Sequence, residues 1–486
     1  MFSGGLQRKL QVPACLVLLT WQATVYAGAP LPGFEEEALT VPSSITTVDD
    51  AACLSIGYVV SDYDCTDVPT TNPEIKVKHC TSGGSTAAGV LVFQRQPLHP
   101  RRYPDVFRVR MTGREIILLP LHYCRSGIAL APYAVALNGT YHFEVLHLFA
   151  GFSYDRHPHI LDEASVTLAQ LNIDLGGTES SSPPHKGCAW DGGCPACPDG
   201  RAGGRWIVRD TTGLNLETSC IVTPSMRTKD GNPVCGDRKL HALATTWQSS
   251  QGLTFQPYSC RMRAETEIDR AACGANRFIC FVGDSHMRHA YNGVTSLFKG
   301  SLDWHGAPGA SGAQKTDKSV MQGTFTNFTV NNMGETNWNF TRCTDVIQNY
   351  GQWMAASELK RPVSVHEYVT KLRATVRHLQ ELRQNGMRVY WMTTNSYPLW
   401  RGAWYNAKKQ EWRSDPIFLL YNRAANKMME DAGIPIIDTY SISAPLNDVS
   451  YDAAHYRGHV GYNMDIRILN VLCPAYSATA TGAAAI

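Results

Sequence analysis

Apolar and polar positions divide the chain into two regimes. Between 51 and 175 the apolar residues come in short runs, Val90-Leu-Val-Phe93, Val106-Phe-Arg-Val-Arg110, Glu115-Ile-Ile-Leu-Leu119 and Tyr141 to Phe149, separated by Gly, Pro and Asn. Runs of this length bounded by turn residues predict the strands of a β-sandwich. Asn138-Gly139, ahead of the fourth run, reads as a hairpin turn. From 276 onward the pattern changes. Phe278 to Val282 is apolar and β-prone and predicts a buried strand, and Met287 to Phe298 predicts a helix. Thr344 to Gln348 predicts another strand. Val365, Val369, Leu372, Val376 and Leu379 recur at helical spacing and form one apolar stripe. Ser364 with Glu367 predicts a capping box at the start of that helix, and Gly386 predicts its end. Met387 to Thr394 then predicts a strand, Pro416 to near Gly433 a helix, and Ile434 to Tyr440 a strand. Strands alternating with crossover helices predict an α/β unit, a parallel sheet covered on both faces.

In such a sheet, reactive groups gather beyond the carboxyl ends of the strands. Gly283-Asp284-Ser285 stands there, between a predicted strand and a predicted helix. A serine at that turn is held at the sheet edge beside free N–H groups, where a helix dipole favours a developing oxyanion. Near the C-terminus stands Asp452-Ala-Ala-His455. A serine nucleophile needs a base within hydrogen-bond reach, and the base needs an orienting acceptor. An Asp three residues before a His supplies both from one loop. Asn349 and Asn395 also follow predicted strands. His286 and His289, flanking Ser285, are rival partners for it.

Gly283-Asp284-Ser285 with Asp452-Ala-Ala-His455 resembles the SGNH (GDSL-type) hydrolases, and more closely the PC-esterase branch, which holds the trichome-birefringence-like polysaccharide O-acetyltransferases, the capsule and sialic acid O-acetyltransferases and the NXPE proteins. Arg288 matches the Gly-Asp-Ser-x-x-Arg form of that branch, and Asn349-Tyr-Gly351-Gln-Trp353 resembles its Asn-x-Gly-x-Trp block. Gly204-Arg-Trp-Ile-Val208 resembles the run near the start of PC-esterase regions. The Gly-x-Asn-Asp motif of typical GDSL hydrolases is missing. The resemblance covers roughly 270–474 and implies an SGNH (flavodoxin-like) three-layer sandwich, with Ser285, Asp452 and His455 as the catalytic set. Gly351, Asn349, Arg288 and Trp353 become oxyanion or substrate residues, with Trp400 and Trp404 as further sugar-stacking candidates. It implies an enzyme acting on O-acyl, chiefly O-acetyl, groups of a glycan or polysaccharide, with an acetyl donor if it transfers. The region 51–175 resembles the Ig- or filamin-like module of NXPE-type proteins. The alternative is a non-catalytic glycan-binding or signalling protein on the same scaffold.

Composition bears on location more than on chemistry. Net charge is +2 with no basic block, so nothing points to nucleic acid. Residues 1–27 read as a secretory signal: Arg8 and Lys9, an apolar run from Leu10 to Trp21 too short to span a bilayer comfortably, and Val25-Tyr-Ala27 before the cleavage point. No spanning run follows, so no membrane span is expected after cleavage. The rival reading is a signal anchor, as in a Golgi type II protein. Of fifteen cysteines, Cys15 leaves with the signal, and the even remainder suits disulfides in an oxidising compartment. Asn138, Asn327 and Asn339 stand in glycosylation acceptors. Cys194-Pro-Ala-Cys197 offers zinc or redox chemistry, but the secretory context favours a structural disulfide, and no second Cys-x-x-Cys completes a four-ligand site; no metal or cofactor is expected. The organisation expected is a signal over 1–27, a leader over 28–50, a β-sandwich over 51–175, a Cys/Gly/Pro-rich connector over 176–275, the catalytic unit over 276–474 and a tail over 475–486.

Overall fold

The computed structural model describes residues 63–82, 87–96, 105–124, 128–149, 166–176, 194–208, 253–301, 304, 322–327, 340–356, 362–397, 413–447 and 454–474. The signal, the leader, the tail, Asn339, Trp400, Trp404 and Asp452 lie outside the described residues.

The strands in chain order are β1 (Tyr63–Val68), β2 (Ile75–Ser82), β3 (Ala88–Arg95), β4 (Val106–Thr112), β5 (Glu115–Leu118), β6 (His122–Tyr123), β7 (Ile128–Ala134), β8 (Gly139–Phe149), β9 (Val166–Leu175), β10 (Gly204–Val208), β11 (Leu253–Pro257), β12 (Phe278–Gly283), β13 (Gln322–Asn327), β14 (Asp345–Gln348), β15 (Arg388–Met392) and β16 (Ile436–Ile437). The helices are α1 (Arg270–Gly274), α2 (Ser285–Phe298), α3 (Val365–Gln384), α4 (Asp415–Asp431), α5 (Tyr440–Ser443) and α6 (Gly458–Leu472).

β12 to β16 form one sheet in the order β13-β12-β14-β15-β16, every pair parallel. Alternation along β12 sorts its side chains between two cores. Ile279 and Phe281 pack with Met287, Val294 and Leu297 of α2 and Ile468 and Leu469 of α6. Cys280 and Val282 pack with Val369, Leu372 and Val376 of α3 and Phe418 and Tyr421 of α4. The sheet is therefore covered on both faces, a three-layer α/β/α arrangement. A β-β-order that steps back at β13 and forward from β14 puts a crevice outside the carboxyl ends of β12 and β14.

The stripe of α3 is buried throughout, its N-cap Ser364 Oγ accepts from the Glu367 N–H at 3.1 Å, and Gly386 takes φ +86° just past its end. β15 and β16 stop earlier than the apolar runs suggested, because hydroxyls take over from the ladder. The Thr439 N–H donates to Thr393 Oγ1 at 2.9 Å, and the Thr439 hydroxyl shares its one proton between the Thr393 carbonyl at 3.1 Å and Asn395 Oδ1 at 2.6 Å.

The N-terminal strands form two antiparallel sheets, β1-β2-β3-β7-β6 and β11-β10-β5-β4-β8-β9. One core lies between them, with Val77, Leu91, Phe93 and Tyr133 from the first and Val109, Met111, Tyr141, Phe143 and Val145 from the second. Asn138-Gly139 is not a hairpin turn. β7 ends in the first sheet and β8 starts in the second, so 135–138 crosses between sheets. A crossing has no ladder of its own, and buried side chains satisfy it: Glu115 Oε2 accepts from the Ala136 N–H at 2.9 Å, and the Tyr141 hydroxyl donates to the Leu137 carbonyl at 2.7 Å. Within the stretch expected as a connector, β10 and β11 add to the second sheet, β10 pairing with β5.

The second sheet's outer side packs on the parallel-sheet unit. Ile116, Trp206, Val208, Leu253 and Phe255 share a core with Ile442, Leu446, Tyr456 and Val460. Polar contacts tie the same faces: Trp206 Nε1 donates to the Ile442 carbonyl at 2.9 Å, and Arg108 reaches the Ala444 and Pro445 carbonyls at 3.3 Å each. These contacts buttress the chain on both sides of His455.

Candidate functional site

β12 ends at Gly283, where a Cβ would run into Met287 and the Asn349 carbonyl, so only glycine lets the chain pass that close to β14. Asp284 follows as the N-cap of α2, its Oδ1 accepting from the His286 N–H at 2.8 Å. Ser285 is the first helical residue. It is partly exposed at the sheet edge, and no hydrogen bond of its N–H is seen among the described residues.

His455 lies in the loop before α6, and its Nε2 is 2.7 Å from Ser285 Oγ. The two sites are 170 residues apart in the chain. In this geometry a neutral imidazole can accept a proton from the Ser285 hydroxyl. His286 does not compete, because its Nδ1 faces the Asn395 amide at 3.1 Å. Asn395 is itself fixed, accepting from Thr439 Oγ1 at 2.6 Å. His289, one helical turn past Ser285, stacks on His455 with ring centroids 4.0 Å apart and planes 4° apart.

Burial pushes the Asp284 carboxyl up from its ordinary 3.8 to about 6. The His286 N–H and the charges of His455, Arg413 and Arg288 pull the other way. A raised carboxylate pKa means that the folded chain binds the proton more tightly than the unfolded chain. Stability from this group is thus full below pH 3.8, falls as pH rises towards about 6, and stays low above it. Asp284→Asn keeps an oxygen for the His286 N–H and removes the buried charge. The variant should gain up to about 2–3 kcal/mol at neutral pH and nothing below pH ~4. Denaturant melts of both proteins across that range check this, and a gain independent of pH would refute it.

The block after β14 departs from expectation. The resemblance makes Asn349 an oxyanion or substrate candidate, but its donors are committed: Nδ2 to the Met392 carbonyl at 2.7 Å and Thr394 Oγ1 at 3.2 Å, and its N–H to the Val282 carbonyl at 3.0 Å. It braces β14 against its neighbours and has nothing left to give an oxyanion. A Cβ on Gly351 would collide with Thr394, and its N–H has no partner among the described residues. Gln352, next to it, donates Nε2 to the Asn395 carbonyl at 3.0 Å. Trp353 is half-buried on the 3₁₀ turn Gln352–Ala355. Arg288 is exposed on α2 and shows no ion pair among the described residues. Asn327 ends β13 in register with Gly283, and Asn138 Oδ1 accepts from Arg114 at 3.4 Å. Thr394, Thr439 and Asp415 escaped the sequence reading, since each acts across strands and no local pattern marks it. Asp415 accepts from the Tyr440 hydroxyl at 3.0 Å and from Ser396 Oγ, and the Ser396 carbonyl accepts from the Tyr456 hydroxyl at 2.8 Å. That chain of bonds ends one residue from His455. Among the described residues no group of His, Cys, Asp and Glu could hold a metal ion.

Comparison with known proteins adds little beyond this geometry. No protein-family model matches the chain, and no curated protein matches it. Solved structures do align. A GDSL-like lipase from Bacteroides thetaiotaomicron VPI-5482 is 11% identical, with 44% of this chain and 91% of that chain covered and a TM-score of 0.29. The acetyl xylan esterase AlAXEase is 16% identical over 39% of this chain and 96% of that chain, with a TM-score of 0.27. A Bacillus subtilis protein is 9% identical over 84% of this chain and 87% of that chain, with a TM-score of 0.25. At these scores nothing that follows rests on them.

Proposed function

We propose that the chain is a serine-dependent acyl esterase or acyltransferase of the SGNH type, PC-esterase branch, acting on O-acetyl groups of a carbohydrate. The 2.7 Å contact between His455 Nε2 and Ser285 Oγ carries this reading. His455 takes the Ser285 proton as Oγ attacks the ester carbonyl. The tetrahedral oxyanion forms beside the Ser285 N–H, with Gly351 N–H as the second donor; a donor of this kind contributes about 100- to 1,000-fold to the rate. The imidazolium returns its proton to the departing sugar oxygen, leaving an acetyl-enzyme. Water or a second sugar hydroxyl, deprotonated by His455, then releases the acetyl group. Asp452 is assigned to hold the other nitrogen of His455. Trp353, half-buried beyond β14, suits stacking on a sugar face.

Incubation of the purified protein with acetylated and bare glycans, followed by mass spectrometry of acetyl, tests the activity and separates transfer from hydrolysis. Failure of wild type to take a fluorophosphonate label would point instead to a glycan-binding scaffold.

The two antiparallel sheets fit the Ig- or filamin-like module, with the Tyr141 hydroxyl tied back to Leu137 as in the corner of Greek-key sandwiches. A secretory location fits the cysteines: Cys65–Cys80, Cys197–Cys260, Cys273–Cys473 and Cys280–Cys343 are disulfides, and Cys124 and Cys194 are disulfide-bonded too. Cys194 and Cys197 are not paired with each other, which removes the redox reading of Cys194-Pro-Ala-Cys197. The Cys273–Cys473 bond spans 200 residues, and closing so long a loop stabilises by about 5 kcal/mol in the chain-entropy account. Thiol titration of the denatured, unreduced protein should find none of these ten cysteines free; abundant free thiol would overturn the location.

A further inference from the structure

Ser285 and His289 are four residues apart on α2 and so share one face of the helix. The helix therefore meets His455 twice. Ser285 Oγ meets the edge of its ring at 2.7 Å, and the His289 ring covers its face at 4.0 Å with planes only 4° apart. The assembly continues outward. Trp304 stands edge-on to His289, with centroids 5.2 Å apart and planes at 68°. The Arg457 guanidinium, two residues past His455, sits 4.3 Å above the Trp304 ring. The chain thus leaves His455, and its next-but-one side chain closes back over the stack. His286 lies 4.9 Å from His455 with its plane tilted by 40°, its Nδ1 facing the Asn395 amide.

We propose that His289 is a positioning residue for catalysis: its flat ring, with Trp304 edge-on against it and Arg457 over that Trp304 ring, holds the His455 imidazole so that Nε2 faces Ser285 Oγ. The proposal rests on the reading of Ser285 and His455 as nucleophile and base. Hydrogen bonds hold a ring at its edge, whereas a face-to-face stack fixes the ring plane. Putting the device on α2 makes one rigid helix set both the nucleophile and the plane of its base. Flatness is what the role needs, so another flat ring should serve.

The test compares His289→Ala and His289→Phe in the full-length protein, using 4-nitrophenyl acetate turnover and the rate of fluorophosphonate labelling. His289→Ala should lower kcat and the labelling rate about 10- to 100-fold with KM nearly unchanged, the size of loss that misplacing a reacting group produces. His289→Phe should restore most of it. Trp304→Ala, which leaves α2 intact, should give a smaller loss of the same kind and serves where His289→Ala fails to fold. If both His289 variants fold and label at the wild-type rate, or if Phe does no better than Ala, the proposal falls. It falls likewise if His289→Ala does not fold and Trp304→Ala labels as wild type. Ser285→Ala and His455→Ala run alongside. If wild type does not label, or either of these labels normally, the underlying reading has failed and not the role of His289 alone.

Discussion

Ser285→Ala should reduce ester turnover by roughly 10,000-fold or more, the scale on which loss of a triad nucleophile acts, while the protein folds and is secreted as before. The two halves of this expectation have separate causes. The chemistry stops because alanine offers no oxygen to the carbonyl and no proton to His455. The fold persists because Ser285 does little structural work. The cap of α2 belongs to Asp284, whose Oδ1 takes the His286 N–H. The Ser285 side chain is partly exposed, and His455 is the partner its hydroxyl finds. Alanine is also the better helix former, so stability should stay within about 1 kcal/mol of wild type. Turnover with 4-nitrophenyl acetate, measured beside a thermal melt, checks both halves. A folded variant that turns over ester at an ordinary rate would remove Ser285 from the mechanism.

What could be read from the sequence was local. The turn at Gly283 to Ser285, the capped helix from Ser364 to Gly386 and the parallel unit as a whole follow from periodicity and cap residues within a few positions of one another. His455 stands in a short spacing pattern, Asp452-Ala-Ala-His455, that a local window contains. Contacts between distant segments were out of reach. Asn349 looks like an oxyanion residue in sequence, yet the Met392 carbonyl and Thr394 engage its amide across the sheet. Asn138-Gly139 has the composition of a hairpin turn but joins two sheets, because the pairing of β8 is settled by β4 and β9. Cys197 finds Cys260 and not Cys194, and β10 and β11 join a sheet whose other strands lie far upstream. In each case the deciding partner is set by packing after the chain has folded back, and no short window contains it.

His455→Ala should cost nearly as much activity as Ser285→Ala, because nucleophile and base act as a unit and losing either removes the same step. The comparison with its neighbours is what gives the assignment content. Three histidines surround Ser285, but only His455 points a ring nitrogen at its hydroxyl, at 2.7 Å, among the described residues. His286 spends Nδ1 on Asn395, and His289 presents a face. So His286→Gln should lose far less than His455→Ala, and small amounts of added imidazole should rescue His455→Ala more than any other variant. Asp452→Asn should fall between, since orientation is disturbed while the base remains. If His455→Ala kept more than about a tenth of wild-type turnover, or if His286→Gln were the inactive protein, the base would have to be sought among the histidines of α2 instead.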